Sequence, residues 1–214
     1  KCYETGWCKV DPFFTEPTLQ NEGKTTILYS PTFSRGITSV EALYDTIHQI
    51  AERRDWEWII TFHSKITDHS IINKYQKLAE KFDNVSFERN EGLKTFQRAD
   101  VMLCDSSSII LEFMLLSKPV VTFKNTNPGP HLIDVNECDA VEPALETALT
   151  RPKSLMEAID TYTLNHEAHR DGNNCSRVLD AVDHFKSNFE GRIKAKPLNL
   201  WRKFRLRNKL KYWK

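Results

Sequence analysis

The stretch from Ala99 to Phe123 constrains the fold more than any other part of the chain. Val101–Cys104 is a short apolar run without a polar position, which is typical of a strand buried on both faces of a parallel sheet. Asp105 and three serines follow it. Apolar residues then recur at helical spacing until a Lys-Pro pair precedes a second apolar run, Val120–Phe123. The stretch predicts a strand, a serine turn, a helix and a second buried strand.

The serine turn is predicted to bind phosphate. A helix that begins just beyond the carboxyl end of a parallel strand directs its free N–H groups and its positive dipole end to one point. Ser106, Ser107 and Ser108 add hydroxyl donors there, and Asp105 is expected to cap and orient the turn. We expect a nucleotide diphosphate at this turn. The alternative is an ordinary serine-capped helix with a structural role only.

Strands and helices are predicted to alternate along the chain. Earlier strands are predicted at 26–30, 57–62 and 85–87, and helices at 40–50, 68–81, 93–98, 141–150, 153–164 and 176–189. This order predicts an α/β, Rossmann-like doubly wound parallel sheet. The expected regions are a connector at 1–23, a nucleotide-binding domain at 24–190 and a basic helical tail at 191–214.

Polar residues follow the predicted strands at the edge where parallel sheets bind their ligands. Thr32 and Arg35 follow the first strand and are candidates for contact with phosphate, although Arg35 is equally typical of a surface charge. His131 lies in the loop after the last predicted strand, where it either faces the cleft or is solvated. Glu112 lies one turn into the helix after the serines, where it either accepts from a ribose hydroxyl or is a surface charge.

The charge is divided unequally along the chain. From Arg192 onward there are ten basic residues and no acidic ones. Because the whole chain has a net charge of +1, the residues before Arg192 carry a net charge of −9. We expect the tail to bind an anionic membrane surface as an amphipathic helix through Trp201, Arg202, Lys203, Phe204, Arg205, Arg207 and Trp213. The alternatives are a helix that docks onto another part of the protein and a solvated tail. The acidic body argues against nucleic acid as a partner.

The five cysteines form no CxxC pair and show no zinc-ligand spacing, and we expect neither a metal site nor a cofactor. An odd number of cysteines without a framework is typical of a reducing compartment. No apolar run approaches the roughly twenty residues that span a bilayer. We therefore expect a cytoplasmic protein, peripheral on the inner face of the cell membrane. Because the sequence starts at Lys1, we also expect a fragment of a longer protein.

Five short motifs occur in the order in which CDP-glycerol glycerophosphotransferases carry them. In that bacterial family they are a G-x-P-R-x-D link, a Y-x-P-T-W/F strand end, an H-P strand end, an A-D-x-x-x-x-D-Y-S-S turn and a D-G-x-x-S-x-R segment. Residues 6–11, 28–33, 60–63, 99–108 and 171–177 resemble them in that order. The chain is thus similar, over about residues 5–190, to the carboxyl-terminal half of a GT-B enzyme. Ser64 and Ser106 depart from the motifs.

The resemblance implies a transferase of teichoic-acid or capsule synthesis. Such an enzyme moves glycerol phosphate, or a related polyol phosphate, from a CDP-activated donor to a polymer or lipid-linked acceptor. His63 would be catalytic, donating a hydrogen bond or a proton to the departing CMP. The general base would lie in the other half of the enzyme, so the chain alone would be inactive.

A second family shares this half of the fold. UDP-N-acetylglucosamine 2-epimerases have the pattern T-x-H-R … D-S-G-G … E … R-x-x-T-E-R-P-E, whose last part residues 123–130 resemble only in outline. Serines stand in place of its two glycines, which argues against an epimerase. The alternatives to the transferase are therefore a UDP-sugar-using GT-B glycosyltransferase or 2-epimerase-like enzyme, and a non-catalytic scaffold module.

Overall fold

The computed structural model describes residues 2–17, 23–89, 92–192 and 197–213. Its centre is a sheet of six parallel strands: β1 Thr26–Tyr29, β2 Glu57–Thr61, β3 Val85–Glu88, β4 Val101–Cys104, β5 Val120–Phe123 and β6 Ile133–Val135. The strand order is β3-β2-β1-β4-β5-β6, so the order along the chain reverses between β1 and β4. That reversal is where open α/β sheets bind their ligands.

Nine helices accompany the sheet in the described part of the chain: α1 Asp11–Thr15, α2 Tyr44–Arg53, α3 His69–Lys81, α4 Leu93–Arg98, α5 Ile109–Met114, α6 Val141–Leu149, α7 Lys153–His166, α8 Asn174–Phe189 and α9 Leu200–Leu210. Short 3₁₀ turns lie at Cys8–Val10 and Cys138–Ala140. The predicted doubly wound parallel sheet is confirmed.

The sheet separates two apolar cores. One contains α2, α3 and α6, represented by Ile47, Leu78 and Leu145. The other contains α4, α5 and α7, represented by Phe96, Phe113 and Ile159. Strands β1, β4 and β5 are buried along their whole length, which explains why apolar residues predominate in their sequences.

The differences from the predicted elements are local. Strand β6 was not predicted, because it has three half-buried residues at the sheet edge and a central aspartate. Helix α2 begins at Tyr44 rather than at 40, and residues 40–43 form a turn before it. Helix α1 lies inside the predicted connector, whose residues 18–22 are outside the described part. Residues 193–196 of the predicted tail are likewise outside it.

Two motif segments, 6–11 and 171–174, form a clamp at the start of α8. The Asp11 carboxylate accepts from the backbone N–H groups of Asn174 and Cys175, at 3.0 and 2.8 Å. Gly6 and Gly172 have φ angles of +74° and +70°, and a Cβ at Gly6 would lie 2.1 Å from Asn174 Oδ1. Both glycines are therefore required by backbone conformation and close packing. The two motifs therefore have a structural role in this fold.

The chain forms two compact units. Residues 6–175 contain the sheet, and the second unit consists of the described residues of 1–5 and 176–214, including α9. No helix in the described ranges is long and apolar enough to cross a bilayer. Among the same residues, no group of three or more His, Cys, Asp or Glu side chains has the arrangement of a metal site.

Candidate functional site

Asp105 ties two loops together beneath the candidate site. Its side chain is fully buried. Oδ1 accepts from the backbone N–H groups of Thr32 and Ser106, both at 2.8 Å, and Oδ2 accepts from the N–H and hydroxyl of Ser39 at 2.9 and 3.0 Å. Because each carboxylate oxygen has two donors, Asp105 orients the turn after β4 against the loop after β1 and is turned away from solvent.

Ser106 fastens the same turn to a third loop. Its hydroxyl oxygen accepts from the Thr126 N–H at 2.8 Å, and the Asn125 amide donates to the Asp105 carbonyl at 2.6 Å. Asn125 in turn donates its backbone N–H to Asp134, in β6, at 2.9 Å. The loops that follow β1, β4 and β5 are thus joined by hydrogen bonds at one edge of the sheet.

The donors of the serine turn differ from those predicted. Helix α5 has six residues, and its first N–H groups are already bonded: Ile110 and Leu111 donate to the carbonyls of Ser107 and Ser108, at 3.4 and 3.2 Å. The N-cap, Ser108, makes no side-chain cap bond. Within the described chain, the backbone N–H groups of Ser107 and Ser108 meet no acceptor. The free donors therefore lie in the turn itself and not in the helix.

A cleft of about 640 Å³ lies beside this turn, and it is called the main cleft of the candidate site. Its lining includes Lys9, His63, Leu93, Ser107, Ser108 and Glu112. His63 follows β2, and the ring lies 4.6 Å from that of Phe33. Its Nδ1 accepts from the Lys65 N–H at 3.1 Å, so the neutral imidazole carries its proton on Nε2 and is a donor.

Glu112 is buried and paired. Its side chain is 11% exposed, and Oε1 lies 2.7 Å from the ammonium of Lys9. Lys9 itself is 61% exposed and belongs to the 3₁₀ turn before α1. The alternative in which Glu112 is a surface charge is therefore wrong: it is a carboxylate at the wall of the main cleft, held by one cation.

Other predicted residues line two neighbouring clefts. The second cleft, about 400 Å³, contains the serine turn, Asn125 and His131. The His131 ring stacks on Tyr162 with centroids 3.7 Å apart, and burial together with the nearby His166 lowers the pKa of His131. The third cleft, about 440 Å³, contains Thr32 and the exposed Arg35. The structure thus gathers His63, Ser107, Ser108 and Glu112 in one cleft and distributes the others around it.

Sequence reasoning missed Lys9 and the apolar wall of the main cleft. Lys9 was part of a motif interpreted as a connector, and its distance of 2.7 Å from Glu112 could not be inferred from sequence positions so far apart. The apolar wall contains Phe13, Leu93 and Phe96. Phe13 was assigned to the connector, and Leu93 to a short helix without a role. The binding roles of the predicted residues stay predictions.

Comparison with known proteins identifies one family. The sequence model described as UDP-N-acetylglucosamine 2-epimerase matches residues 19–183. A search of curated proteins with the sequence finds no significant match. The family match covers β1 to β6 and helices α2 to α7, and hence the whole candidate site except Lys9 and α1.

Solved structures with the same fold include two that are described as UDP-N-acetylglucosamine 2-epimerases and one that contains UDP. A putative UDP-N-acetylglucosamine 2-epimerase from Listeria monocytogenes has a TM-score of 0.57 at 18% identity, over 88% of this chain and 54% of its own. S. aureus MnaA with UDP has a TM-score of 0.60 at 18% identity, over 91% and 56%. The Neisseria meningitidis UDP-GlcNAc 2-epimerase bound to UDP-GlcNAc has a TM-score of 0.50 at 16% identity, over 80% of this chain and 45% of its own. The chain spans about half the length of these structures.

The family match overturns the resemblance to CDP-glycerol glycerophosphotransferases, and with it glycerol phosphate transfer, the CDP-activated donor and a role in teichoic-acid synthesis. The motifs that carried the resemblance are a structural clamp, strand ends and a buried aspartate turn. Such features are needed to build this half of the fold and do not specify the nucleotide. The inference that Ser107 and Ser108 argue against the 2-epimerase family was also wrong, and the family is the one that had been given as the alternative.

Proposed function

Because the chain belongs to the UDP-N-acetylglucosamine 2-epimerase family, we propose that its main cleft binds the nucleotide part of a UDP-N-acetylhexosamine. One observation carries this proposal: His63 from the end of β2 and the segment Ser107–Glu112 from the end of β4 line the same cleft. Strands β2 and β4 are the two neighbours of β1 in the sheet, so both elements lie at the reversal of strand order. For the whole protein, we propose an enzyme that acts on a UDP-sugar.

The polar wall suits a pyrophosphate. Ser107 and Ser108 each offer a backbone N–H and a hydroxyl, and His63 offers Nε2–H. Lys9 supplies a positive charge at the same cleft. Charge-assisted hydrogen bonds of this kind are stronger than neutral ones, and donors already fixed by the fold lose little conformational freedom on binding.

The other wall suits a nucleoside. Glu112 is acceptor-only when ionised and can take both hydroxyls of a ribose while keeping its ion pair with Lys9 on the second oxygen. Phe13 and Leu93, backed by the buried Phe96, supply apolar surface against which a flat base can pack. The arrangement orders the ligand along the cleft as phosphates at the serine turn, ribose at Glu112 and base at the apolar wall.

The experiment is a calorimetric titration of the chain with UDP, UDP-N-acetylglucosamine and CDP. UDP should bind more tightly than CDP. The double variant Ser107→Ala/Ser108→Ala should weaken UDP binding by about thirtyfold, at roughly 1 kcal/mol for each lost hydroxyl contact. Ser70→Ala, in an exposed part of α3, is the matched control and should bind UDP like the unaltered chain.

Three results contradict the proposal. Absence of UDP binding would leave the fold as a scaffold without a nucleotide site. Tighter binding of CDP than of UDP would exclude a uridine site. An unchanged affinity in the Ser107/Ser108 variant would move the phosphates away from the turn.

A further inference from the structure

Helix α9, in the second compact unit, has an exposed surface that plays no part in the proposed nucleotide site. Helix α9 has eleven residues, and every residue from 197 to 213 is exposed. Its aromatic side chains are far from buried: Trp201 is 73% exposed and Trp213 is 59% exposed. Large apolar side chains grouped on a monomer surface mark a site of interaction.

The aromatic residues form one cluster. The rings of Trp201 and Phe204 stack with centroids 5.8 Å apart, and Trp213 meets Phe204 edge-on at 5.5 Å. Trp213 reaches Phe204 because Lys211 adopts a left-handed conformation and the Tyr212 N–H bonds back to the Arg207 carbonyl. The helix end therefore folds its last tryptophan onto the same side as the first.

The basic residues flank this cluster on both sides. At about 100° per residue, Leu200, Trp201 and Phe204 occupy an arc of about 100° around α9. Lys203 and Arg207 lie along one side of the arc, and Arg205 and Lys209 lie beyond the other. No acidic residue occurs after Glu190, so nothing within the segment neutralises these charges.

We propose that α9 and residues 211–213 bind the surface of an anionic lipid bilayer, with the aromatic cluster in the headgroup region and the flanking basic residues on the lipid phosphates. The charge pattern favours an anionic partner, and the aromatic arc between two basic edges fits an interface that is apolar below and anionic above. A nucleic-acid duplex supplies phosphates, but its bases are already stacked and it offers no apolar layer for the exposed tryptophans. This surface would place the protein on the inner face of the cell membrane, and it does not depend on the nucleotide proposal.

The test is co-sedimentation of the whole chain with vesicles of phosphatidylcholine alone and of phosphatidylcholine mixed with phosphatidylglycerol. Binding is expected only to the mixed vesicles and should fall as salt rises. The triple variant Lys203→Gln/Arg207→Gln/Lys209→Gln should lower the partition coefficient on the order of a hundredfold. The control removes three exposed charges elsewhere, with Lys74→Gln/Lys77→Gln/Lys153→Gln, and should bind like the unaltered chain.

Tryptophan fluorescence tests whether the cluster enters the interface. Emission should shift to the blue on anionic vesicles, and the shift should disappear in Trp201→Phe/Trp213→Phe while Trp58, in the core, still reports a folded chain. Equal binding to neutral and anionic vesicles would overturn the proposal. So would binding of a short DNA duplex without a blue shift on vesicles, or self-association through α9 that persists in lipid.

Discussion

Glu112 is the buried carboxylate of the main cleft, and Lys9 is its partner. If Glu112 holds the ribose, Glu112→Gln should weaken UDP binding by about tenfold, because a hydrogen bond to a charged acceptor is replaced by one to a neutral amide. Calorimetric titration with UDP measures this. Glu16→Gln is the matched control, since Glu16 lines the same cleft but is exposed. An equal loss in both variants would mean that the effect is a general change of charge.

Lys118 is a second residue whose charge is constrained by burial. Its ammonium donates to the carbonyls of Phe96, Gln97 and Ala99 at 2.9, 2.7 and 2.5 Å, where α4 ends. Burial lowers the pKa of Lys118 to about 8 from 10.5, against the opposing effect of the nearby Asp100. Between about pH 8 and 10.5, Lys118 is protonated more fully in the unfolded chain than in the folded chain. The contribution of Lys118 to stability therefore rises from about pH 8 to 10.5.

Lys118→Met keeps the length of the side chain and removes the donor. We expect it to cost about 1 kcal/mol at neutral pH, since the carbonyls at the end of α4 lose their partner. The rise in stability above pH 8 that belongs to Lys118 should also disappear. Urea unfolding at a series of pH values tests both points. The exposed Lys77→Met is the control, and an identical pH profile in both variants would contradict the assignment.

At the scale of elements, the clamp at the start of α8 depends on Asp11. Burial acts to raise the pKa of the Asp11 carboxyl, but the N–H groups of Cys175 and Asn174 outweigh it and hold the pKa below the ordinary 3.8. The stabilisation is therefore present at neutral pH and is lost as the pH falls through this lowered pKa.

Asp11→Asn should lower the melting temperature by a few degrees at neutral pH, because an amide offers one acceptor oxygen where the carboxylate offers two. The difference from the unaltered chain should shrink in acid, as the native carboxyl is protonated. Thermal unfolding followed by circular dichroism measures this. The exposed Asp83→Asn should melt like the unaltered chain at both pH values.

Elements with strong local signals were predictable from the sequence. Val101–Cys104 and Val120–Phe123 are buried on both faces, so their apolar runs identified them without ambiguity. Strand β6 has no apolar run, because Asp134 lies at its centre. The Asp134 carboxylate accepts hydrogen bonds from Thr122 and Asn125 at the edge of the sheet. The Lys9–Glu112 pair joins positions distant in the chain, and periodicity carries no information on such a contact. The 2-epimerase family was given only as the alternative, because the strand ends and turns that favoured the transferase are features of the fold and do not distinguish the two families.

At the scale of the whole molecule, the buried core belongs to one of the two compact units, residues 6–175. Every buried hydrophobic side chain in the described residues lies at or before Ile159, and α9 is exposed throughout. We therefore expect a chain that ends after Arg192 to keep its melting temperature and its affinity for UDP, and to lose vesicle binding. Differential scanning calorimetry and the co-sedimentation assay measure these properties. A marked fall in the melting temperature would mean that the tail stabilises the sheet.

The position of β1 at the reversal of strand order has a kinetic consequence. Ile27 pairs with Trp58 on one side, which a short stretch of chain can deliver, and with Val101 on the other, which requires closing a much longer loop. Pairings between distant segments form slowly. The main cleft needs residues from the ends of both β2 and β4, so a half-formed sheet has no cleft. During refolding from urea, recovery of UDP affinity should therefore lag behind the circular dichroism signal. UDP would bind only to chains in which all the strands of the cleft are paired.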